Sequence, residues 1–428
     1  MYTYSKETLP NGLRVIYIEM PHIHSVVMSA YIGVGSRYEE EKKLGISHFL
    51  EHMLFRGTKG FKNSFELFQA IDNIGGEIDA YTSPEYSAVT IQIHNKHIKS
   101  GISILGDIIL GGNFRPDDIE TERRIIQEEM KQFVDVKGDY VCIDDMSFSL
   151  MWKDGSTDTP LFGDEKTIAA LRADDLYAYY KKFFVPDNIV LCISGKFRRN
   201  EVSCHVNERF GDLQGKMSGQ KPPLKTTQTG LRYLYKKSPS QTISFKLCHK
   251  AYPYRHEKVI IMLLIADVLG GGIGSRLSLN VREKLGLVYD ITCYPTLFSD
   301  VGSIDIYTST KKENFEKTTK AVMDEVHKLF QGGITEQELS RTEERVFSQT
   351  QLIMDSPLAM SNWFGVEELL ITPEIPDTPE KQAQKVHAIT MKAVHDTIAE
   401  IFVPKKRNFI VVGSYRWINK KHTIAMLK

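Results

Sequence analysis

Two segments of this 428-residue chain repeat one pattern at a fixed distance. Val185-Pro-Asp-Asn-Ile-Val-Leu-Cys-Ile-Ser-Gly195 resembles Val403-Pro-Lys-Lys-Arg-Asn-Phe-Ile-Val-Val-Gly413, and in each a glycine follows the proline by nine residues. The two prolines, Pro186 and Pro404, lie 218 residues apart. The same offset carries the helical stretch Ile46–His52 onto Leu264–Gly270, another apolar stretch. Two motifs that agree on one offset point to a duplicated domain. The length suits two domains of about 200 residues each. Gln214–Gly230 is polar and rich in Gly, Pro and Thr, which marks a linker. The expected division is therefore 1–215, a linker at 216–230, and 231–428.

Mixed secondary structure fills the first half. Strands are expected at 12–18, 25–32 and 189–193, where β-branched and apolar residues concentrate. Helices are expected between Gly45 and Gly57 and at 64–74, 98–111, 117–134 and 174–184. Lys plus Arg and Asp plus Glu are both 54, a zero formal charge. That argues against nucleic acid as a partner, which needs a basic excess, and against a polybasic membrane patch. The longest apolar run, Val259–Ala266, is too short to cross a bilayer. Five cysteines without a C-x-x-C spacing read as reduced thiols. With no signal-like N-terminal segment visible, a cytoplasmic protein is the expectation.

The sharpest local motif is His48-Phe-Leu-Glu51-His52. On a helix, His48 and His52 stand one turn apart on one face, so two imidazoles can share a metal ion. Glu51 lies on the same side and can reach a water without being a ligand. H-x-x-E-H inverts the H-E-x-x-H zinc-protease signature. It should arise by accident only about 0.03 times in a chain of this composition. A catalytic zinc wants three protein ligands and an open position. Glu122 and Glu129 share a face of the acidic stretch Thr121–Met130. Spacing alone reads that stretch as a solvated acidic helix.

Together, His48-x-x-Glu51-His52 and Glu129 resemble the pattern of the pitrilysin, or M16, metallopeptidases. Leu9–Val15, Gly33–Glu39, Phe49–Thr58, Gly75–Thr82, Leu269–Leu277 and Val281–Tyr289 are also similar to that family, so the resemblance covers nearly the whole chain. It implies an α+β fold of two duplicated domains, each a mainly antiparallel sheet covered by helices, the M16/LuxS-like fold. It implies one Zn2+ per chain on His48, His52 and Glu129, with Glu51 as general base and Glu122 orienting a ligand. Gly76, Glu77, Ile78, Asp79, Ala80, Tyr81 and Thr82 would form the substrate-binding edge strand, with Asp79 where asparagine is common. Arg282 and Tyr289 would stabilise the oxyanion.

At the 218-residue offset, His48, Glu51 and His52 become Ala266, Leu269 and Gly270, so the second half is expected to lack a metal site. The resemblance further implies a half-length chain that dimerises. A homodimer is the simpler expectation, and a heterodimer with a related chain stays open. The expected activity is zinc-dependent hydrolysis of unfolded peptides or a short precursor in a closed dimeric chamber. The alternative is a non-catalytic peptide-binding or scaffold subunit.

Overall fold

Two mixed β-sheets, one in each half of the chain, organise the computed structural model, which describes residues 2–152, 162–218, 223–224, 227–372, 376–414 and 420–427. In the first half, β1 (Thr3–Thr8), β2 (Arg14–Glu19), β3 (Ser25–Ile32), β4 (Glu77–Thr82), β5 (Ser87–His94) and β6 (Ile189–Gly195) are ordered β1-β2-β6-β3-β5-β4. In the second, β7 (Arg232–Lys237), β8 (Thr242–Ala251), β9 (Val288–Leu297), β10 (Gly302–Lys311) and β11 (Arg407–Gly413) are ordered β7-β11-β8-β10-β9. Removing β1 leaves one topology used twice. β2 runs parallel to β6, as β7 does to β11, and the remaining pairs are antiparallel.

The repeat seen in the sequence is therefore a structural repeat. β2 and β7 begin 218 residues apart, at Arg14 and Arg232, and so do β6 and β11, at Ile189 and Arg407. Both central strands end on a glycine with positive φ, Gly195 at 135° and Gly413 at 154°. That conformation disfavours any other residue, which explains why the motif closes on glycine twice.

Burial explains the apolar runs. β6 is buried along its whole length, and so is β11. Leu191 and Ile193 face one core of the first sheet, while Val190 and Cys192 face a second core on its other side. Phe409 and Val411 likewise face one core of the second sheet, and Ile410 and Val412 the other. Strands covered on both faces read as continuous hydrophobic runs. β1 is a polar edge strand (Thr-Tyr-Ser-Lys-Glu-Thr) held by its register with β2, so it gave no such signal.

The expected helices are present as Ile46–Met53, Ser64–Asp72, Ile98–Leu110, Pro116–Met130 and Ala173–Phe183. The chain divides into two compact units, one of residues 1–130, 160–222 and 351–378, the other of 131–159, 223–350 and 379–428. A single cut in the linker separates the two sheets, but helices Ile143–Trp152 and Pro357–Ile371 belong to the unit of the opposite half. Met360 and Phe364 pack on Ile16, Tyr31 and Cys192 of the first sheet. Met146 and Met151 pack on Cys248 and Ile410 of the second. Of the expected linker 216–230, residues 219–222 and 225–226 lie outside the described residues. Among the described residues, no helix is long and apolar enough to cross a membrane.

Candidate metal centre

The short helix Ile46–Met53 is set in place from both ends. At its start, the Glu39 carboxylate accepts the N–H groups of Gly45 (2.7 Å) and Ser47 (2.9 Å), donors that the first turn cannot satisfy itself. Ile46, Phe49, Leu50 and Met53 point into the first core. That burial turns His48, Glu51 and His52 toward helix Pro116–Met130 and the edge strand β4. Past the helix end, the Arg56 guanidinium pairs with Glu122.

His48 Nε2, His52 Nε2 and one Glu129 oxygen form a triangle. Its sides are 3.2 Å between the nitrogens, 3.5 Å from His52 to Glu129 and 3.7 Å from His48 to Glu129. Zinc bonds of about 2.0–2.1 Å in a tetrahedron place neighbouring ligands about 3.3–3.4 Å apart, so the triangle fits one face of a zinc site. Two imidazole nitrogens and a carboxylate aimed at one point are also a donor set that calls for a cation. Among the described residues this is the one cluster of three such side chains.

The surroundings tune each of these side chains. Burial, with His52 beside it, pushes the His48 pKa down to about 3, so its imidazole is neutral and its lone pair free. Burial also opposes charge on His52, but the hydrogen bond and charge of Glu122 outweigh it and raise its pKa. His52 Nδ1 lies 2.9 Å from Glu122 Oε2, which leaves Nε2 turned to the metal point. Glu122 is buried and held ionised: burial alone would raise its pKa, but His52 and Arg56 lower it. His48 differs: its Nδ1 is buried with no hydrogen-bond partner among the described residues, and its ring packs edge-on against Phe162 at 4.5 Å. Glu129 is two-fifths exposed, which opens the site on its side.

Glu51 lies beside the triangle without entering it. Its pKa is raised by burial, against the hydrogen bond from Thr82 Oγ1 (2.5 Å), which favours the carboxylate. An open cleft runs past Glu51, lined by His52, Phe55, Phe68, Ile78, Asp79 and Ala80. β4 flanks this cleft, pairs with β5 on one side and ends the sheet on the other. Gly76 immediately precedes this strand, and Glu77, Ile78, Asp79, Ala80, Tyr81 and Thr82 compose it.

The sequence-derived residues thus split between the units. His48, Glu51, His52, Glu122, Glu129 and the strand at 77–82 come together in the first. Arg282 and Tyr289 belong to the second, on the helical turn Ser278–Lys284 and on β9. Tyr289 is 90% exposed, and Arg282 has Glu283 at 3.7 Å. Three contacts were not foreseen: Arg56 on Glu122, Phe162 on His48 and Thr82 on Glu51. Arg56 carried a readable signal, standing four residues beyond His52, but the helix ends between them.

The fold is α+β and duplicated, with an H-x-x-E-H motif in its first half, and comparison gives the family. Residues 14–164 match the family described as insulinase (peptidase family M16), and residues 170–346 match the peptidase M16 inactive domain. The chain belongs to the M16 peptidase family. It is 28% identical to an uncharacterised zinc protease of Bacillus subtilis, YmxG, over 92% of this chain and 95% of that one. It is 29% identical to an uncharacterised zinc protease of Streptomyces coelicolor, over 86% of this chain and 81% of that one. The fold is similar to a protease from Helicobacter pylori (TM-score 0.84, 18% identity, 96% and 100% of the two chains). It is equally similar to a peptidase M16 inactive domain from Pseudomonas fluorescens (TM-score 0.86, 17% identity, 96% and 98%).

Proposed function

We propose that this chain is a zinc-dependent endopeptidase that cuts unfolded peptides or a short peptide precursor. The observation that carries the reading is the convergence of His48, His52 and Glu129 beside Glu51 in an open cleft. Related chains named zinc proteases support it. Zinc bound by the three side chains supplies Lewis acidity, acidifying water and polarising a carbonyl. Glu51 takes the proton from the attacking water and returns it to the leaving amine. The peptide adds as an extended strand to the free edge of β4, where main-chain hydrogen bonds hold it and Asp79 meets its side chains. Folded proteins are poor substrates because strand addition needs free backbone.

Arg282 and Tyr289 donate to the oxyanion in this proposal, and they come from the second subunit of a homodimer that closes a chamber. The wide exposure of Tyr289 supports a role outside its own fold. A related half-length chain is the other partner that fits. Five free cysteines support a reducing, cytoplasmic setting.

The test mixes Glu51→Ala with Arg282→Ala subunits, each inactive alone. Mixed dimers are expected to regain cleavage of a quenched peptide, and a chelator is expected to stop it. No recovery after demonstrated subunit exchange would sink the shared site. Cleavage that persists without metal would sink the zinc reading.

A further inference from the structure

We infer that Thr82 is a positioning residue for Glu51 and that it ties the general base to the strand that receives the peptide; this rests on the peptidase reading above. Thr82 Oγ1 donates to Glu51 Oε2 at 2.5 Å. The same residue ends β4, where it pairs with Ser87 of β5. Its hydroxyl lies 3.4 Å from Ser87 Oγ, and Ser87 Oγ donates to the Val34 carbonyl at 2.9 Å. Ser87 is buried. The Thr82 hydroxyl therefore sits between the buried Ser87 hydroxyl and the Glu51 carboxylate, with its single proton given to the carboxylate.

The helix alone does not set where this carboxylate points. A glutamate has three side-chain torsions, and the helix backbone fixes only their origin. A hydrogen bond to a charged group is roughly twice as strong as one between neutral groups, enough to select one arrangement of the half-buried Glu51 carboxylate. Because the donor belongs to β4, a peptide paired with β4 is placed against the strand that also places the base. Misplacing a reacting group by about 1 Å costs up to about 10²-fold in rate. The Thr82 hydroxyl is thus a link between substrate register and catalytic geometry, distinct from the main-chain role of its strand.

Thr82→Val removes the hydroxyl and keeps the shape, while Thr82→Ser keeps the hydroxyl. In zinc-loaded protein, Thr82→Val is expected to lower kcat roughly 10- to 100-fold with KM changed less than about twofold. Thr82→Ser is expected to restore most of the rate. Zinc content should be unchanged in both. Peptide affinity in a Glu51→Gln background should also be unchanged by adding Thr82→Val. A crystal structure of Thr82→Val should show the Glu51 carboxylate moved from its wild-type position. Wild-type kcat in Thr82→Val, equal losses in Thr82→Ser, lost zinc or an unmoved Glu51 would each overturn the proposal. If zinc-loaded wild type cuts no peptide, the peptidase reading fails and takes the catalytic role of Thr82 with it; if wild type cuts and Thr82→Val cuts equally well, Thr82 alone is refuted.

Discussion

Helix Ile46–Met53 and its edge strand β4 line an open cleft, whereas the end of helix Val259–Gly270 lies so near the equivalent strand β9 that a Cβ on Gly270 would meet it. The first helix turns its apolar side into the core and carries buried His48 and half-buried Glu51 and His52 on the other. The second is apolar almost all round (Val-Ile-Ile-Met-Leu-Leu-Ile-Ala-Asp-Val-Leu-Gly), as expected of a helix buried on all sides. Gly270 stands at the position of His52. A Cβ built there would come within 2.4 Å of the Cys293 backbone nitrogen. At this position the second unit therefore differs by more than side-chain identity: beside β9 there is no room for even a Cβ. One fold thus holds a cluster of metal-binding side-chain types in one unit and a tight helix–strand contact at the matching place in the other.

The largest expected effect tests the chemistry of the open unit. Glu51→Gln should lower kcat by about 10²–10⁴-fold, the range for loss of a general base, with zinc content retained. Stopped assays of a quenched peptide and metal analysis of the same sample check it. Retained activity would remove Glu51 from its role as general base.

Next comes the support of the metal. Glu122→Gln should weaken zinc binding about 10- to 100-fold, measured by competition with a chromophoric chelator. It replaces the charged acceptor for His52 Nδ1 and leaves Arg56 without its partner carboxylate. The second unit has an equally tight pair, Arg276 with Glu338 (2.6 and 2.7 Å), far from any metal ligand in sequence. Burial opposes the charge of Glu338, but Arg276 outweighs it and holds its pKa at about 2. Its contribution is thus present above the ordinary glutamate value and lost as pH falls toward 2. Glu338→Gln should leave zinc affinity unchanged and lower stability near neutral pH, with the difference from wild type vanishing in acid. Equal zinc losses in the two variants would erase the contrast.

A smaller effect probes the close approach of Gly270 to β9. Gly270→Ala should destabilise the protein by about 1–3 kcal/mol through overpacking against β9, read by denaturant unfolding. Zinc binding should not change. If alanine were tolerated freely, the absence of a second site would come down to ligand identity alone.

Much of this comparison was readable from the chain, and the physical reason is locality. The 218-residue offset survives because β2 with β7 and β6 with β11 are central or parallel-paired strands whose lengths cannot drift without breaking the sheet. His48 and His52 are legible because a helix turn brings i and i+4 together. Glu129 was not legible from spacing, since an acidic face two turns long is also what a solvated helix shows; the resemblance supplied it, and the 3.5 and 3.7 Å distances give it a geometric reason. Helices Ile143–Trp152 and Pro357–Ile371 each cover the opposite half's sheet. An apolar stripe says that a helix packs but not on which sheet. Thr82 and Phe162 reach the centre across 31 and 114 residues from Glu51 and His48, and no local pattern encodes such contacts.

The smallest expected effect concerns the unequal support of the two imidazoles within the open unit. His52 is oriented by a charged hydrogen bond, while His48 Nδ1 has no hydrogen-bond partner among the described residues and its ring rests against Phe162. Packing restrains a ring less sharply than a hydrogen bond does, because dispersion contacts are individually weak and weakly directional. Helix burial already fixes the His48 backbone: its neighbours Phe49 and Leu50 are in the core, and Glu39 holds the helix start. Phe162→Ala should therefore weaken zinc binding less than tenfold, below the loss in Glu122→Gln. Phe162→Leu should lie between wild type and alanine, because it keeps part of the contact. Chelator competition on the three proteins, with unfolding curves beside them, separates ligand orientation from stability. If Phe162→Ala matched Glu122→Gln, packing would orient this ligand as strongly as a charged hydrogen bond.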